Sequence, residues 1–317
     1  MDQRMKVSIC CITYQHVKYI EKAILGFLEQ RTNFPIEIFI HDDASTDGTA
    51  DIIRTYAGRD HRIIPILREK NVMSTGDPVV PAIFDRARGE FIAMCEGDDH
   101  WIDPYKLQRQ IDALEGDPEA VACFTDAYNE IDGRRDAYMN NAYAVPPPPR
   151  VDLGRIMRGQ GIPTCTFMFR NIDLTPFYDA LRAAPVGDTV LFTYLAGKGH
   201  FIYQPERTGV RVMHAGGMYS MQTAVRKLDM HLRTLPFMDQ LSDHNYSELL
   251  NERRRKLLIM GWSEAMERND LELAKYVWPQ IQKERGLYGW NFTTTIRNFF
   301  KAYWPLPDRI YGRLTGK

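Results

Sequence analysis

Apolar positions fall in two alternating rhythms over the first third of the chain. Val7–Thr13 is a continuous apolar run of strand length, and Val17, Ile20, Ile24, Phe27 and Leu28 then share one helical face. Ile36–His41 reads as a second strand. Asp47–Tyr56 reads as a helix, with Ile52, Ile53 and Tyr56 inward and Gly58 as its stop. Ile63–Leu67 is a third strand, Val79–Arg88 a short helix ended by Gly89, and Phe91–Cys95 a fourth strand. Pro104–Leu114 is a helix with Leu107, Ile111 and Leu114 on one face. Strand and helix alternating at this spacing predict right-handed crossovers and a largely parallel sheet. Ligands of such sheets sit beyond the carboxyl ends of the strands. Strand two runs into His41-Asp42-Asp43 and strand four into Glu96-Gly97-Asp98-Asp99, so both acidic groups are expected on one sheet edge.

From residue 133 the pattern loosens. Pro146–Pro149 predicts an extended loop. Thr166–Arg170, His200–Gln204 and Val210–Met213 are short strand candidates, and Ser247–Glu284 is a pair of helical patterns broken near Arg268-Asn269-Asp270. The expected organisation is a domain over 1–235, with a nucleotide-binding half to about 130 and an acceptor half over 131–235. A helical extension follows over 236–317.

Composition narrows the classes. Of 317 residues 44% are apolar and 26% charged, enough apolar material for a core and against global disorder. A net charge of −1 argues against a nucleic-acid partner. No apolar run is long enough to span a bilayer, and the start has no secretion-type apolar stretch, so a cytoplasmic location is expected. The five cysteines lie in apolar segments with no CxxC, as expected of buried free thiols. Residues 286–317 carry five bases, one acid and eight aromatics, a composition suited to peripheral contact with the inner membrane face.

The adjacent carboxylates Asp98 and Asp99 would repel at an apolar sheet edge without a cation, and Mn²⁺ or Mg²⁺ with oxygen ligands serves that role. In Asp42-Asp43-Ala44-Ser45-Thr46-Asp47-Gly48-Thr49, Ser45 and Thr46 are expected to cap the following helix. That role leaves the two acids before them free for a nucleobase or ribose.

The blocks VSICCITYQHVKYIEKAILGFLEQ, IEIFIHDDASTDGT and ARGEFIAMCEGDDHW, in this order, resemble the family-two inverting glycosyltransferases with a GT-A fold. That fold is α/β, with a mostly parallel central sheet. The resemblance implies that Thr13 and Tyr14 contact the nucleotide, Tyr14 lying on the base, and that Asp43 binds the base edge. Asp98 and Asp99 stand at the family's DxD-like motif, which implies ribose contact by Asp98 and metal binding by Asp99. Val186-Gly187-Asp188 resembles the segment supplying the catalytic base, so Asp188 is expected to take the acceptor proton. Its other reading is a helix cap. Val210–Met218 resembles a stretch in which Arg211 pairs with the diphosphate and His214 serves as a metal ligand or phosphate contact. Trp101 and Thr164 are expected near the acceptor.

The family's asparagine-glycine-alanine-arginine-asparagine pattern is missing between strand three and the acidic pair, where Asn71–Pro78 stands instead. Arg86 or Arg88 is the candidate replacement. The expected activity is a metal-dependent inverting transfer from a nucleoside-diphosphate sugar, UDP-linked by default, to a glycan or polyprenyl-linked acceptor of cell-surface polysaccharide. The alternatives are a sugar-nucleotide nucleotidyltransferase and a non-catalytic nucleotide-sugar binder.

Overall fold

The computed structural model describes residues 4–72, 79–138, 146–217 and 222–287. The expected membrane-contacting tail lies outside the described residues from 288 onward. The first half follows the sequence pattern: β1 (Val7–Thr13), α1 (Ile20–Leu28), β2 (Ile36–Asp42), α2 (Thr49–Ala57), β3 (Ile63–Leu67), α3 (Val80–Phe84), β4 (Phe91–Met94), β5 (His100–Trp101) and α4 (Lys106–Gly116). There follow β6 (Ala120–Ile131), β7 (Arg134–Ala137), β8 (Arg150–Val151), α5 (Leu153–Met157), a 3-10 turn (Thr164–Thr166), β9 (Met168–Arg170), α6 (Thr175–Leu181), α7 (Gly187–Ala196) and β10 (His200–Met213). The last helices are α8 (Ala224–Leu241), α9 (Ser247–Glu267) and α10 (Leu271–Leu287).

The strands form one sheet in the order β3-β2-β1-β4-β9-β6-β10-β5. β1 pairs in parallel with β2 and β4, and β2 with β3. β9 runs antiparallel to both β4 and β6, and β10 runs parallel to β6. Two reversals restore direction, so β4, β6 and β10 point the same way. The carboxyl end of β10 therefore reaches the same edge as those of β1, β2 and β4.

α1 covers this sheet with Ile20, Ala23, Ile24 and Phe27, all fully buried at the i, i+3, i+4, i+7 spacing. Burial of a side chain the size of Phe27 contributes about 1.5–3 kcal/mol. α1 begins at Ile20 rather than Val17, because the amides of Tyr19 and Ile20 both donate to the His16 carbonyl and wind the preceding residues into a turn. Gly26 lets the helix approach β5: a Cβ there would stand 2.7 Å from the Trp101 carbonyl oxygen.

A charged residue near the amino end of β2 is buried in the parallel part of the sheet. Glu37 of β2 is 2% exposed, accepts from Ser8 Oγ at 2.6 Å and is gripped by Arg88 through Nε (2.9 Å) and Nη2 (2.6 Å). Ser8 and Glu37 lie at the amino ends of their strands. Arg88 therefore serves the edge opposite the acids, and a contact with the donor's diphosphate does not fit its place.

Two compact units divide the chain. One comprises Met1–Thr223 with Asp229–Arg253, and the other Ala224–Leu228 with the residues from Arg254 onward. Within the second, α9 and α10 pair through Trp262 and Trp278, 5.1 Å between ring centroids, and through Arg254 Nε to Glu284 Oε1 at 2.8 Å. Their junction lies at the expected break. Asn269 takes a left-handed φ of 52°, and Asp270 Oδ1 accepts from the Leu273 amide at 2.9 Å to open α10. No described helix is long and apolar enough to cross a membrane.

Candidate active site

The β1–α1 turn and the β2–α2 loop are fastened to each other. Gln15, in the left-handed region at φ 59°, donates its amide to Ser45 Oγ at 2.8 Å, and its side-chain amide bonds both ways with Thr46. The His16 amide donates to Thr49 Oγ1 at 3.0 Å and the Val17 amide to Asp47 Oδ2 at 3.0 Å. Ser45 and Thr46 thus hold the neighbouring turn instead of capping α2. Asp47 takes the capping role, its Oδ1 accepting from the Thr49 amide at 3.0 Å and hydroxyl at 2.6 Å. Asp42 closes its own turn by accepting from Ser45 N and Oγ.

Asp43 is 2% exposed. Its amide donates to the Thr13 carbonyl and its Oδ1 accepts from the Val72 amide at 2.9 Å, which seats the carboxylate beside the end of β1. Tyr14, the residue after β1, is 45% exposed. Thr13 is buried against Gly97, whose missing side chain is essential: a Cβ would stand 2.5 Å from Thr13 Oγ1.

Beyond β4, the two aspartates diverge. Asp98 Oδ2 lies 3.1 Å from His214 Nε2 and 3.6 Å from His16 Nε2. The candidate ligand atoms of His16, Asp98 and His214 all lie within 4.8 Å of one another. Asp99 turns inward, is 7% exposed, and its Oδ1 accepts from the Val212 amide at 2.8 Å. The metal ligand was expected at Asp99; the structure sets Asp98, and not Asp99, beside the two imidazoles. The buried carboxylate is committed to the end of β10, and its neighbour faces the imidazoles.

The Gly216 amide donates to His214 Nδ1 at 3.1 Å. That contact selects the tautomer with its proton on Nε2, which donates to Asp98. The Tyr19 ring lies 4.5 Å from that of His214. Burial holds His16 below its ordinary pKa, opposed in part by Asp98.

Glu96, two residues before Asp98, is the residue sequence reasoning missed. Burial pushes its carboxyl well up, reinforced by the negative charges of Asp98 and Asp188 and opposed by Arg211. Its Oε2 is buried with no hydrogen-bond partner among the described residues. The signal was present as an acid two positions before Asp98 in Glu-Gly-Asp-Asp. Burial also raises Asp99, with Glu96 and Asp98 adding to the effect. Burial alone would lower Arg211, but Tyr138, Asp99 and Glu96 outweigh it and raise its pKa. The guanidinium thus belongs to the acid cluster.

Asp188 lies in the first turn of α7. Its Oδ1 accepts from the Thr189 amide, and Thr164 Oγ1 of the 3-10 turn stands 3.5 Å from its Oδ2. Its charge acts on Glu96 and on the buried His231 and Arg253. Trp101, expected at the acceptor, is instead a core residue. It is 3% exposed, its Nε1 donates to the Cys165 carbonyl at 2.6 Å, and its ring packs edge-on against Phe27 at 4.9 Å. The structure thus gathers Thr13, Asp43, Glu96, Asp98, Asp188, Thr164, Arg211 and His214 at the acid edge and leaves Trp101 behind it.

The arrangement offers a carboxylate beside two imidazoles, suited to a divalent cation, and a second carboxylate suited to proton transfer. The fit to a cation rests on the donor set: one carboxylate oxygen and two imidazole nitrogens lie within 4.8 Å of one another.

The family description "Glycosyl transferase family 2" matches residues 8–178. An uncharacterized protein of Mycobacterium tuberculosis, Rv1520, is 36% identical over 221 residues, covering 67% of this chain and 60% of that protein. The chain thus matches about 60% of that relative's length. TuaG of Bacillus subtilis, a glycosyltransferase named for teichuronic acid biosynthesis, is 35% identical over 109 residues, covering 34% of this chain and 41% of TuaG. S. aureus TarS (residues 1–349), solved with UDP-GlcNAc, has the same fold with a TM-score of 0.55 and 14% identity, covering 88% of this chain and 92% of TarS.

Proposed function

The chain belongs to glycosyl transferase family 2, and from that premise we propose that it is a glycosyltransferase acting on a nucleoside-diphosphate sugar, with inversion at the anomeric carbon. The observation that carries this reading is Asp98 beside His214 at 3.1 Å beyond the end of β4, with the Asp188 carboxylate beside Thr164 near enough for its charge to act on Glu96. Tyr14, 45% exposed, and the buried Asp43 at the end of β2 would take the nucleotide's base. The UDP-GlcNAc held by TarS supports a UDP-linked donor.

Asp98 and His214 would hold a divalent cation, and the chemistry such an ion supplies there is neutralisation of the diphosphate. The remaining work falls to the protein. Asp188 accepts the proton of the acceptor hydroxyl as its oxygen bonds to the anomeric carbon. The bond from that carbon to the diphosphate oxygen breaks, and the electron pair leaves with the nucleotide. Thr164 orients the Asp188 carboxylate. Arg211 offsets Glu96 and Asp99, which keeps the edge from accumulating uncompensated charge. The gain comes from positioning and fixed electrostatics. The acceptor is a glycan or polyprenyl-linked glycan of a surface polysaccharide, a reading supported by the likeness to TuaG.

A panel of UDP-, GDP- and dTDP-sugars with Mn²⁺ or Mg²⁺ tests this. Release of nucleoside diphosphate from one donor is expected. Release of pyrophosphate would mark a nucleotidyltransferase, and binding without release a non-catalytic binder.

A further inference from the structure

His16 has no part in the mechanism above, yet the structure fixes it with care. Its amide is bonded to Thr49 Oγ1, its carbonyl accepts from Tyr19 and Ile20, and its neighbours Gln15 and Val17 are tied to Thr46 and Asp47. The acidic-hydroxyl loop Asp42–Thr49 thus serves largely to lock the turn that carries this imidazole. Gln15 accepts a left-handed backbone to complete it.

The imidazole is aimed at the site. His16 Nε2 lies 3.6 Å from Asp98 Oδ2, with the His16 and His214 rings 6.0 Å apart and nearly perpendicular. A separation of 3.6 Å is too long for a hydrogen bond, so hydrogen bonding does not account for the placement. Bonds of about 2.0–2.2 Å to one ion span ligand separations up to about 4.4 Å, close to the spread of these three groups. The three side chains are 13–18% exposed, so each remains in contact with solvent.

We propose that His16 is a third protein ligand of the divalent cation, making a site of two imidazoles and one carboxylate that is assembled before nucleotide arrives. The inference rests on the cation reading at Asp98 and His214. It has two consequences. Imidazole nitrogen is a poor ligand for Mg²⁺ and a better one for first-row transition ions, so Mn²⁺ is expected to bind here more tightly than Mg²⁺. Loading also requires His214 to move its proton from Nε2 to Nδ1, and the Gly216 amide then gives up its contact, which links the ion to the Ala215-Gly216-Gly217 segment.

Calorimetric titration of the full chain with Mn²⁺ alone and Mg²⁺ alone, with electron spin echo measurement of nitrogen coupling to bound Mn²⁺, tests it. The expected result is Mn²⁺ binding without nucleotide, about tenfold or more tighter than Mg²⁺, with two coupled imidazole nitrogens. His16→Gln should weaken Mn²⁺ by about tenfold or more and leave one nitrogen. A fold check by circular dichroism, with His16→Asn as a second variant, separates ligand loss from misfolding. Mn²⁺ affinity within threefold of wild type in both folded variants, or a single nitrogen in the wild type, overturns the role of His16. Retained Mn²⁺ binding in Asp98→Asn overturns the cation reading itself. Mn²⁺ binding that appears only with UDP or GDP present leaves that reading intact and overturns the preassembled three-ligand site.

Discussion

Asp98 and Asp99 are adjacent in sequence and opposite in use: Asp98 faces His214 at 3.1 Å, while Asp99 accepts the Val212 amide at 2.8 Å. The first faces the imidazoles of the proposed cation site, and the second anchors the end of β10 to the end of β4. Replacement should separate them. Asn at 99 keeps an oxygen acceptor for Val212 and removes a carboxylate whose ionisation burial opposes. Asp99→Asn should therefore retain the melting temperature of the wild type and its Mn²⁺-dependent nucleotide binding. Asp98→Asn should keep the fold and lose at least about tenfold in that binding. Thermal-shift titration of both variants with UDP and Mn²⁺ gives the comparison, and a larger binding loss at 99 than at 98 would reverse the assignment.

Asp188 and Thr164 form the other half of the proposed site. Removal of a general base costs typically about 10²–10⁴ in rate, so Asp188→Asn should lose that much turnover with donor affinity unchanged. The 3.5 Å contact from Thr164 is long, and Thr164→Val should reduce kcat only by about 3–10-fold with the donor KM preserved. Steady-state kinetics on both variants is the check. Full turnover in Asp188→Asn would remove it from the base role.

Trp101 follows the acidic motif closely enough in sequence to look like a substrate contact, but its burial argues for stability. Trp101→Phe deletes the indole N–H bond to Cys165 and part of the ring that packs on Phe27. A loss of about 2–4 kcal/mol is expected. Urea unfolding should show it, with acceptor and donor KM unaltered. A raised acceptor KM at unchanged stability would return the residue to the acceptor site.

The parallel half of the sheet was legible because its strands are short, fully buried apolar runs separated by amphipathic helices with glycine stops. β1 and β3 match the pattern residue for residue. β6 was not legible: Ala122, Thr125 and Asp126 are small or polar, and burial between neighbouring strands, not alternation, makes it a strand. β10 read as two pieces because Pro205 and Glu206 interrupt it, where the pairing with β6 shifts register. The acidic edge was legible from strand ends alone. The division of labour within it was not, because which of two adjacent carboxylates turns inward depends on β10, about a hundred residues away. Arg88 was unplaced for a similar reason, its partner Glu37 being a charge inside an otherwise apolar strand.

Lys106 supplies the last test. It is fully buried beneath Trp101, its Nζ 4.1 Å from that ring centroid, and its hydrogen-bond partner is the neutral Gln110 at 2.6 Å. Burial pushes its amine down to about 8 from an ordinary 10.5. The unfolded chain therefore holds this proton more tightly than the folded one. The sign follows: below about pH 8 the buried charge lowers stability in full, and the penalty fades as pH rises towards 10.5. At about 1.4 kcal/mol per pKa unit, the penalty is about 3 kcal/mol at neutral pH. Lys106→Met removes the titrating group while keeping similar length, at a pH-independent cost from the lost Gln110 and Trp101 contacts. Between about pH 7 and pH 10 the wild type should gain roughly 2–3 kcal/mol relative to this variant. Comparing the two chains at each pH cancels the buried thiols, which titrate in the opposite sense in both. Urea unfolding at the two pH values measures the difference. A constant gap would mean that Lys106 stays charged in the fold, stabilised by its contacts with Trp101 and Gln110 despite its burial.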